Sequence, residues 1–322
     1  MKIHFRRFTS LFLLSIFTFI LVSACSGNIE SNIKNSKQST EDCRTIQHTM
    51  GETCVPADPK RIVALDMDNL GNLLAMVIKP IAANSGWNAV EPFPKHLQNK
   101  MDGVENVGSM TQPNLEKILL LKPDLIVTNT PLKPFYSQLS EIAPTVVMQH
   151  PEIWKQKLTE LAKVLNKEDT ANRLMDDYWQ RINKLKKTLG DKRTQIRVSA
   201  ATVQKDNGIY AYGSKHPSGI VLKDIGVQRP SSQIGDFYYT QKLSPETLPE
   251  IDGDVLFFVT WKKQGDKEAF EKLQENPLWN KLKVVQNNRV YVMDSDHWHK
   301  DNSILGVNAV IDDLFKYLVN AT

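Results

Sequence analysis

The chain has 322 residues, 41% of them hydrophobic, and a formal net charge of +4. That apolar share is enough to build cores, so global disorder is excluded, and the length accommodates two domains as readily as one large one. Lys2, Arg6 and Arg7 lie in a segment expected to be removed; without those three the charge is close to +1, which gives no support for a nucleic-acid surface.

A basic opening through Arg7 precedes a mostly apolar run from Phe8 to Val22, too short for a secure transmembrane span. It closes on Val22-Ser23-Ala24-Cys25, small residues before a cysteine, which resembles the lipobox of bacterial lipoproteins. The resemblance implies a signal peptide over residues 1–24 and a lipid anchor on Cys25 outside the cytoplasm. Residues 25–42, rich in Asn, Ser and Lys, read as a disordered tether. In an oxidising location Cys43 and Cys54 read as a disulfide closing a small loop. Without neighbouring His ligands they make a poor zinc site.

From Pro59 onward strands alternate with helices. Arg61–Asp66 reads as a buried strand, residues 70–77 as a helix, Pro80–Ala83 as a short strand and Asn84–Lys95 as a loop that carries Trp87. Asn114 caps a helix over Leu115–Leu121, followed by a strand at Leu125–Thr128, a turn, a helix at Phe135–Ile142, a strand at Thr145–Met148 and a helix at Trp154–Leu165. Apolar residues at Leu174, Met175, Tyr178, Ile182, Leu185 and Leu189 then fall on one helical stripe. Asn166 is the expected N-cap, with Asp169 returning the bond, and Gly190 the stop. This helix of roughly 35 Å is either a rod laid across two lobes or an ordinary crossover helix.

Beyond it, Ile196–Val203, Ile209–Tyr212, Val255–Thr260 and Arg289–Met293 read as strands. Ser218–Ile225, Ala269–Glu275, Leu278–Leu282 and Leu305–Val319 read as helices, and Ser244-Pro245-Glu246 as a helix start. Strands punctuated by helices predict an α/β fold with parallel sheets covered on both faces.

The motif V-G-x-x-x-x-P-N-L-E-x-I-x-x-L-K-P-D-L-I over Val107–Ile126 resembles that of the iron-siderophore and cobalamin substrate-binding proteins of ABC importers. So do P-K-R-I-V at Pro59–Val63, N-P-L-W-N-K-L at Asn276–Leu282 and N-R-V-Y-V at Asn288–Val292. The opening from Cys43 to Pro56 is similar to ferric-siderophore and iron(III)-dicitrate binding lipoproteins. The resemblance implies two Rossmann-like lobes, residues 43–160 and 191–322, joined by one long backbone helix within 161–190. It also implies a monomer that holds its ligand in the interlobe cleft and delivers it to a permease and its ATPase. No intrinsic cofactor is implied. In the family one glutamate on each lobe docks against basic permease residues, and the matching positions are Glu116 and Glu246. Each is equally a first-turn carboxylate stabilised by its helix dipole.

Ligands of parallel sheets sit beyond the C-terminal strand ends. There the chain offers Trp87, Tyr210, Tyr212, Trp261 and Trp298 as aromatic surfaces, and Lys133, Lys205, Lys262 and His297 as bases, with Tyr239 in an irregular aromatic stretch. Arg197 and Arg229 are candidate anion clamps. The absence of an arginine from the first-lobe loops weakens a strict dicitrate assignment. His297-Trp298-His299 puts two histidines on one side if extended, short of the three or four ligands a bare metal needs. No G-x-S-x-G, zincin or phosphate-loop motif appears, so a lipid-anchored metal hydrolase has little support. Cobalamin or haem remains open as an alternative ligand on the same fold.

Overall fold

The structure, a computed structural model, describes residues 43–85, 93–149, 153–204, 208–240, 242–261 and 265–319. It opens with a feature absent from the sequence prediction. β1 (Cys43–His48) and β2 (Gly51–Pro56) form an antiparallel hairpin, with the Cys43 and Cys54 Cα atoms 5.5 Å apart, a separation a disulfide spans. The hairpin lies on the free edge of β7 (Thr145–Met148). Thr49 donates its backbone N–H and hydroxyl to Val147 O, and the Thr53 hydroxyl donates to Thr145 O. Covering the edge removes a template for pairing with other chains. Arg44 donates to Lys163 O and Val164 O, satisfying carbonyls at the end of α4 (Trp154–Leu165).

The first lobe is a five-stranded parallel sheet in the order β5 (Glu105–Asn106), β4 (Ala82–Ala83), β3 (Ile62–Ala64), β6 (Leu125–Asn129), β7. Its inner strands β3, β4 and β6 are buried on both faces because helices cover both. α2 (Leu115–Leu120) and α3 (Tyr136–Ile142) lie with the outer core that contains Val63, Ile118, Ile126 and Leu139. The second lobe orders β11 (Val290–Asp294), β10 (Val255–Thr260), β8 (Val198–Val203), β9 (Ile209–Ala211). Its outer core joins Phe258, Phe270, Trp279 and Val284, supplied in part by α7 (Asp266–Gln274) and α8 (Lys283–Gln286). β9 runs antiparallel, contrary to the all-parallel expectation. Only residues 204–208 separate it from β8, and a parallel return needs a crossover of a dozen or more residues.

Between the lobes runs α5 (Glu168–Leu189), 22 residues that bury Ala171, Tyr178, Ile182, Leu185 and Leu189. Gly190 ends it at φ +57°, as its missing Cβ allows. Asn166 does not cap its start. It sits at φ 56°, ψ 46° and closes α4, a left-handed stop that asparagine tolerates, and α5 begins from Lys167 without a side-chain cap.

The long helix is not the sole joint. One continuous apolar layer contains residues from both sheets together with α1 (Met67–Ala75), α4, α5, α6 (Pro217–Ile225) and α9 (Ile304–Leu314). α9 packs on α1 of the first lobe and on α6 of the second. At that crossing a Cβ on Gly71 would lie 2.1 Å from Ser303 Oγ, so the two backbones approach as closely as they do only because position 71 has no side chain.

Candidate functional site

Both lobes turn the C-terminal ends of their parallel strands into side-chain-rich loops. In the second lobe three segments converge there. β10 ends at Thr260 and delivers Trp261; β11 ends at Asp294 and is followed by a helical turn over Asp296–Lys300; and residues 237–240 return beside β9 through a bridge between Tyr212 and Tyr239. They assemble a cluster of rings. The Tyr239 hydroxyl stands 2.6 Å from His299 Nδ1, and the His299 ring lies 4.3 Å from that of Trp261. Tyr210 and Tyr238 meet Tyr239 edge-on at 6.4 and 4.8 Å. Beneath them Tyr212 stacks on His216 at 3.8 Å, both fully buried.

The rings themselves are uncharged, although the Lys300 ammonium lies 5.9 Å from the Trp261 ring centre. Burial, then the charge of Lys300, pulls His299 down to about 3, and burial, then His299 and Arg229, holds His216 well below the ordinary imidazole range. Burial raises Tyr212 and Tyr238, so neither becomes a phenolate near neutrality. Such a site offers ring faces, hydroxyls and uncharged ring nitrogens to a large ligand. Among the described residues no three His, Cys, Asp or Glu side chains converge to hold a metal ion.

The cluster is wired to a polar seam between the lobes. Tyr238 donates to Asn302 Oδ1 at 3.4 Å, and the Asn302 backbone N–H donates to Asp68 Oδ1 on α1 at 2.9 Å. Asp68 also pairs with Lys157 of α4, both side chains buried. Alongside, His96 Nε2 lies 2.7 Å from Asp301 Oδ2, and the Ile304 N–H donates to Asn72 Oδ1 at 3.0 Å. Asp66 caps α1 by accepting from the Asn69 N–H at 2.8 Å; burial, then the neighbouring Asp68, raises it to about 7.

Of the residues expected from sequence, Tyr210, Tyr212, Tyr239 and Trp261 come together here. Lys133 is exposed in the turn Thr130–Phe135 after β6, at the corresponding end of the first-lobe sheet. Trp87, Lys205, Lys262 and Cys25 lie outside the described residues. Four expectations need correction. Arg197 is exposed at the start of β8, the opposite end of the sheet, where its backbone bonds Asp254. Arg229 donates to Tyr212 O at 2.8 Å and to Gln233, bracing the cluster from behind rather than clamping an anion; burial lowers it to about 10, leaving it cationic. Trp298 is 1% exposed, stacked on Phe257 and bonded to Asp313, a core residue. His297 faces Asp313 at 2.7 Å, away from His299, because residues 296–300 coil where the pairing of the two histidines required an extended strand. His216, His96 and Asn302 carried no local signal, and Tyr238 only its place in the irregular aromatic stretch: their roles come from partners as many as 234 residues away.

Ser218 bonds His216 Nδ1 at 2.8 Å, a pairing that resembles a nucleophile and its base. Both are fully buried and serve as the cap of α6, with no access for a substrate. A groove of about 410 Å³ lies elsewhere, between β2 and α3, and belongs to neither feature.

Two α/β lobes, a connecting helix and a ring cluster at the strand ends define a two-lobed ligand-binding protein. The periplasmic binding protein family model matches residues 62–297, and the chain belongs to that family. It is 33% identical to the probable siderophore-binding lipoprotein YfiY of Bacillus subtilis (strain 168), over 98% of this chain and 99% of that one. It is 30% identical to the Fe(3+)-citrate-binding protein YfmC of the same organism, over 94% of each. The crystal structure of Staphylococcus aureus SirA complexed with staphyloferrin B superposes with a TM-score of 0.74 at 27% identity, covering 85% of this chain and 98% of that one. Among the described residues no helix is long and apolar enough to cross a membrane.

Proposed function

We propose that this protein captures a ferric siderophore outside the cytoplasmic membrane and passes it to an ABC permease powered by its ATPase. The observation that carries this is the neutral Tyr239–His299–Trp261 cluster at the strand ends of a two-lobed fold whose relatives are named for binding iron chelates. Ring faces cover the organic shell of an intact chelate, while Lys133, Lys205 and Lys262 neutralise its charge. In this reading residues 1–24 are a signal peptide, Cys25 carries lipid, residues 25–42 tether the fold, and the Cys43–Cys54 disulfide closes the hairpin. Lobes 43–160 and 191–322 flank the helix within 161–190, and the protein works as a monomer. Trp87 joins Trp261 on the ligand.

Glu116 and Glu246 are the proposed docking acids. Asn114 N–H donates to Val107 O just past the end of β5, so Glu116 follows the C-terminal end of a strand of its sheet. Leu243 bridges Ile209, which pairs with Val203 at the end of β8, so Glu246 follows the same end of its own. Both are exposed first-turn residues.

The experiment is a titration of tryptophan fluorescence with iron-loaded citrate, hydroxamate and catecholate chelators against their iron-free forms. Saturable quenching at low-micromolar concentration or below by an iron-loaded form supports the assignment; flat traces for all three overturn it. Haem ligation through His297 or Tyr212 loses ground, since one faces Asp313 and the other is wholly buried.

A further inference from the structure

The turn that carries His299 is met at both ends by the other lobe. Residues 296–301 close on themselves through a 3.1 Å bond from the Asp301 N–H to Asp296 O. Within the turn His297 and Trp298 bond Asp313 of α9, while His299 meets Tyr239 and Trp261. Two consecutive first-lobe residues, at the start of the short helix Lys95–Lys100, reach its two ends. The Lys95 N–H donates to Asp296 Oδ2 at 3.4 Å, and His96 Nε2 lies 2.7 Å from Asp301 Oδ2. Leu97, the next residue, is fully buried in the apolar layer that contains residues of both lobes.

Asp301 is enclosed by design of its neighbours. Its side chain is wholly buried, and a Cβ on Gly306 would lie 2.1 Å from its carbonyl oxygen, so α9 passes it only at a glycine. Oδ1 accepts from the Ser303 N–H at 2.9 Å, and Oδ2 faces His96. A carboxylate only accepts, so His96 Nε2 is the donor. Without that donor Oδ2 is left buried and unbonded, which is costly. The turn regains a partner only by moving, and His299, two residues back, moves with it.

We infer that His96 is a positioning residue for the candidate site: through Asp301 it sets the His299 ring against Tyr239 and Trp261. The inference rests on the reading that a ferric chelate binds at those rings. It adds that a side chain of the first lobe aligns the second-lobe half of the site.

The test uses the full chain and whichever of the iron-loaded citrate, hydroxamate and catecholate chelators quenches its fluorescence. His96→Ala is expected to weaken binding about ten-fold, the loss of one hydrogen bond to a charged group. His96→Gln, whose amide N–H reaches to the place of Nε2, is expected to restore it. In a His299→Ala background, His96→Ala is expected to add nothing. A loss of equal size in both backgrounds, or one that His96→Gln shares in full, overturns the inference, because a general weakening of the fold acts whether or not His299 is present. Nitrogen NMR of the histidine rings reads the placement without any chelate. The wild-type His299 ring is expected to stay neutral well below the ordinary imidazole range, to titrate at least about one pH unit higher in His96→Ala as water reaches it, and to return in His96→Gln. An unchanged His299 titration in His96→Ala overturns the inference. If no chelate quenches the wild-type chain, the functional reading falls, and the ring titration alone decides whether His96 positions His299. Should His96→Ala fail to fold, His96→Asn, whose amide is too short to reach Asp301, takes its place with the same expectations.

Discussion

The seam between the lobes and the ring cluster above it are neighbours built on opposite principles. In the seam every charge has a fixed counterpart: Asp68 with Lys157 and the Asn302 N–H, Asp301 with His96 and the Ser303 N–H. In the cluster, Tyr239, His299 and Trp261 are half-buried rings whose polar atoms are neutral. Paired charges in a dry environment are costly to disturb, whereas neutral rings can exchange one neighbour for another. The first links the two lobes, and the second sits at the strand ends of one of them. Asn302 belongs to both, accepting from Tyr238 and donating to Asp68.

The sharpest way to break this contrast is Asp68→Ala. It removes the carboxylate that pairs with Lys157, 3% exposed, in a buried site. The expected loss is roughly 3–5 kcal/mol of stability, read as a fall in the denaturation midpoint. Asp68→Leu with Lys157→Met, which removes both charges at once, should recover most of it. A single variant as stable as wild type would mean that the seam does not hold the lobes.

The same contrast separates what was legible in the sequence from what was not. The strands Thr145–Met148 and Val255–Thr260, the helix Trp154–Leu165 and the Gly190 stop follow from local periodicity and local stereochemistry, and the structure places them as expected. Asn166 misleads because one residue type both ends and begins helices, and only the backbone of its neighbours decides. The direction of β9 was readable from the short link after β8. The seam was not: Asp68 and Asn302 are 234 residues apart, and neither stands out in its own segment. Trp298 and Trp261 both follow a strand, yet one stacks on Phe257 while the other meets His299. That difference is set by packing between elements, which a linear pattern does not contain.

A smaller effect is expected from Tyr239→Phe, which keeps the ring and removes only the hydroxyl facing His299. Stability should change by about 1 kcal/mol, since the group is half-buried. Affinity for the chelate identified by titration should fall about ten-fold, the loss of one hydrogen bond to a charged ligand. Unchanged affinity would move Tyr239 from the ligand surface to the packing beneath it.

The smallest effect in the native chain is its pH dependence, because the two regions pull in opposite directions. His299, lowered to about 3 when folded, contributes stability that is complete above the ordinary imidazole value near 6.5 and is lost as pH falls toward 3; His216 acts in the same sense. Asp66, raised to about 7, does the reverse. The folded state holds its proton more tightly than the unfolded chain, so its contribution is complete below the ordinary carboxylate range and is lost as pH rises to 7. Between roughly pH 4 and pH 6.5 two lowered histidines stand against one raised carboxyl, and the melting temperature of the native chain should rise modestly with pH. His299→Gln leaves one slope of each sign and should flatten the profile. Asp66→Asn, which retains an N-cap oxygen for the Asn69 N–H, removes the opposing slope and should steepen the rise with pH. Melting curves across that window report the slopes directly. A His299→Gln profile as steep as that of Asp66→Asn would show that the cluster histidines and the α1 cap do not titrate as opposed groups.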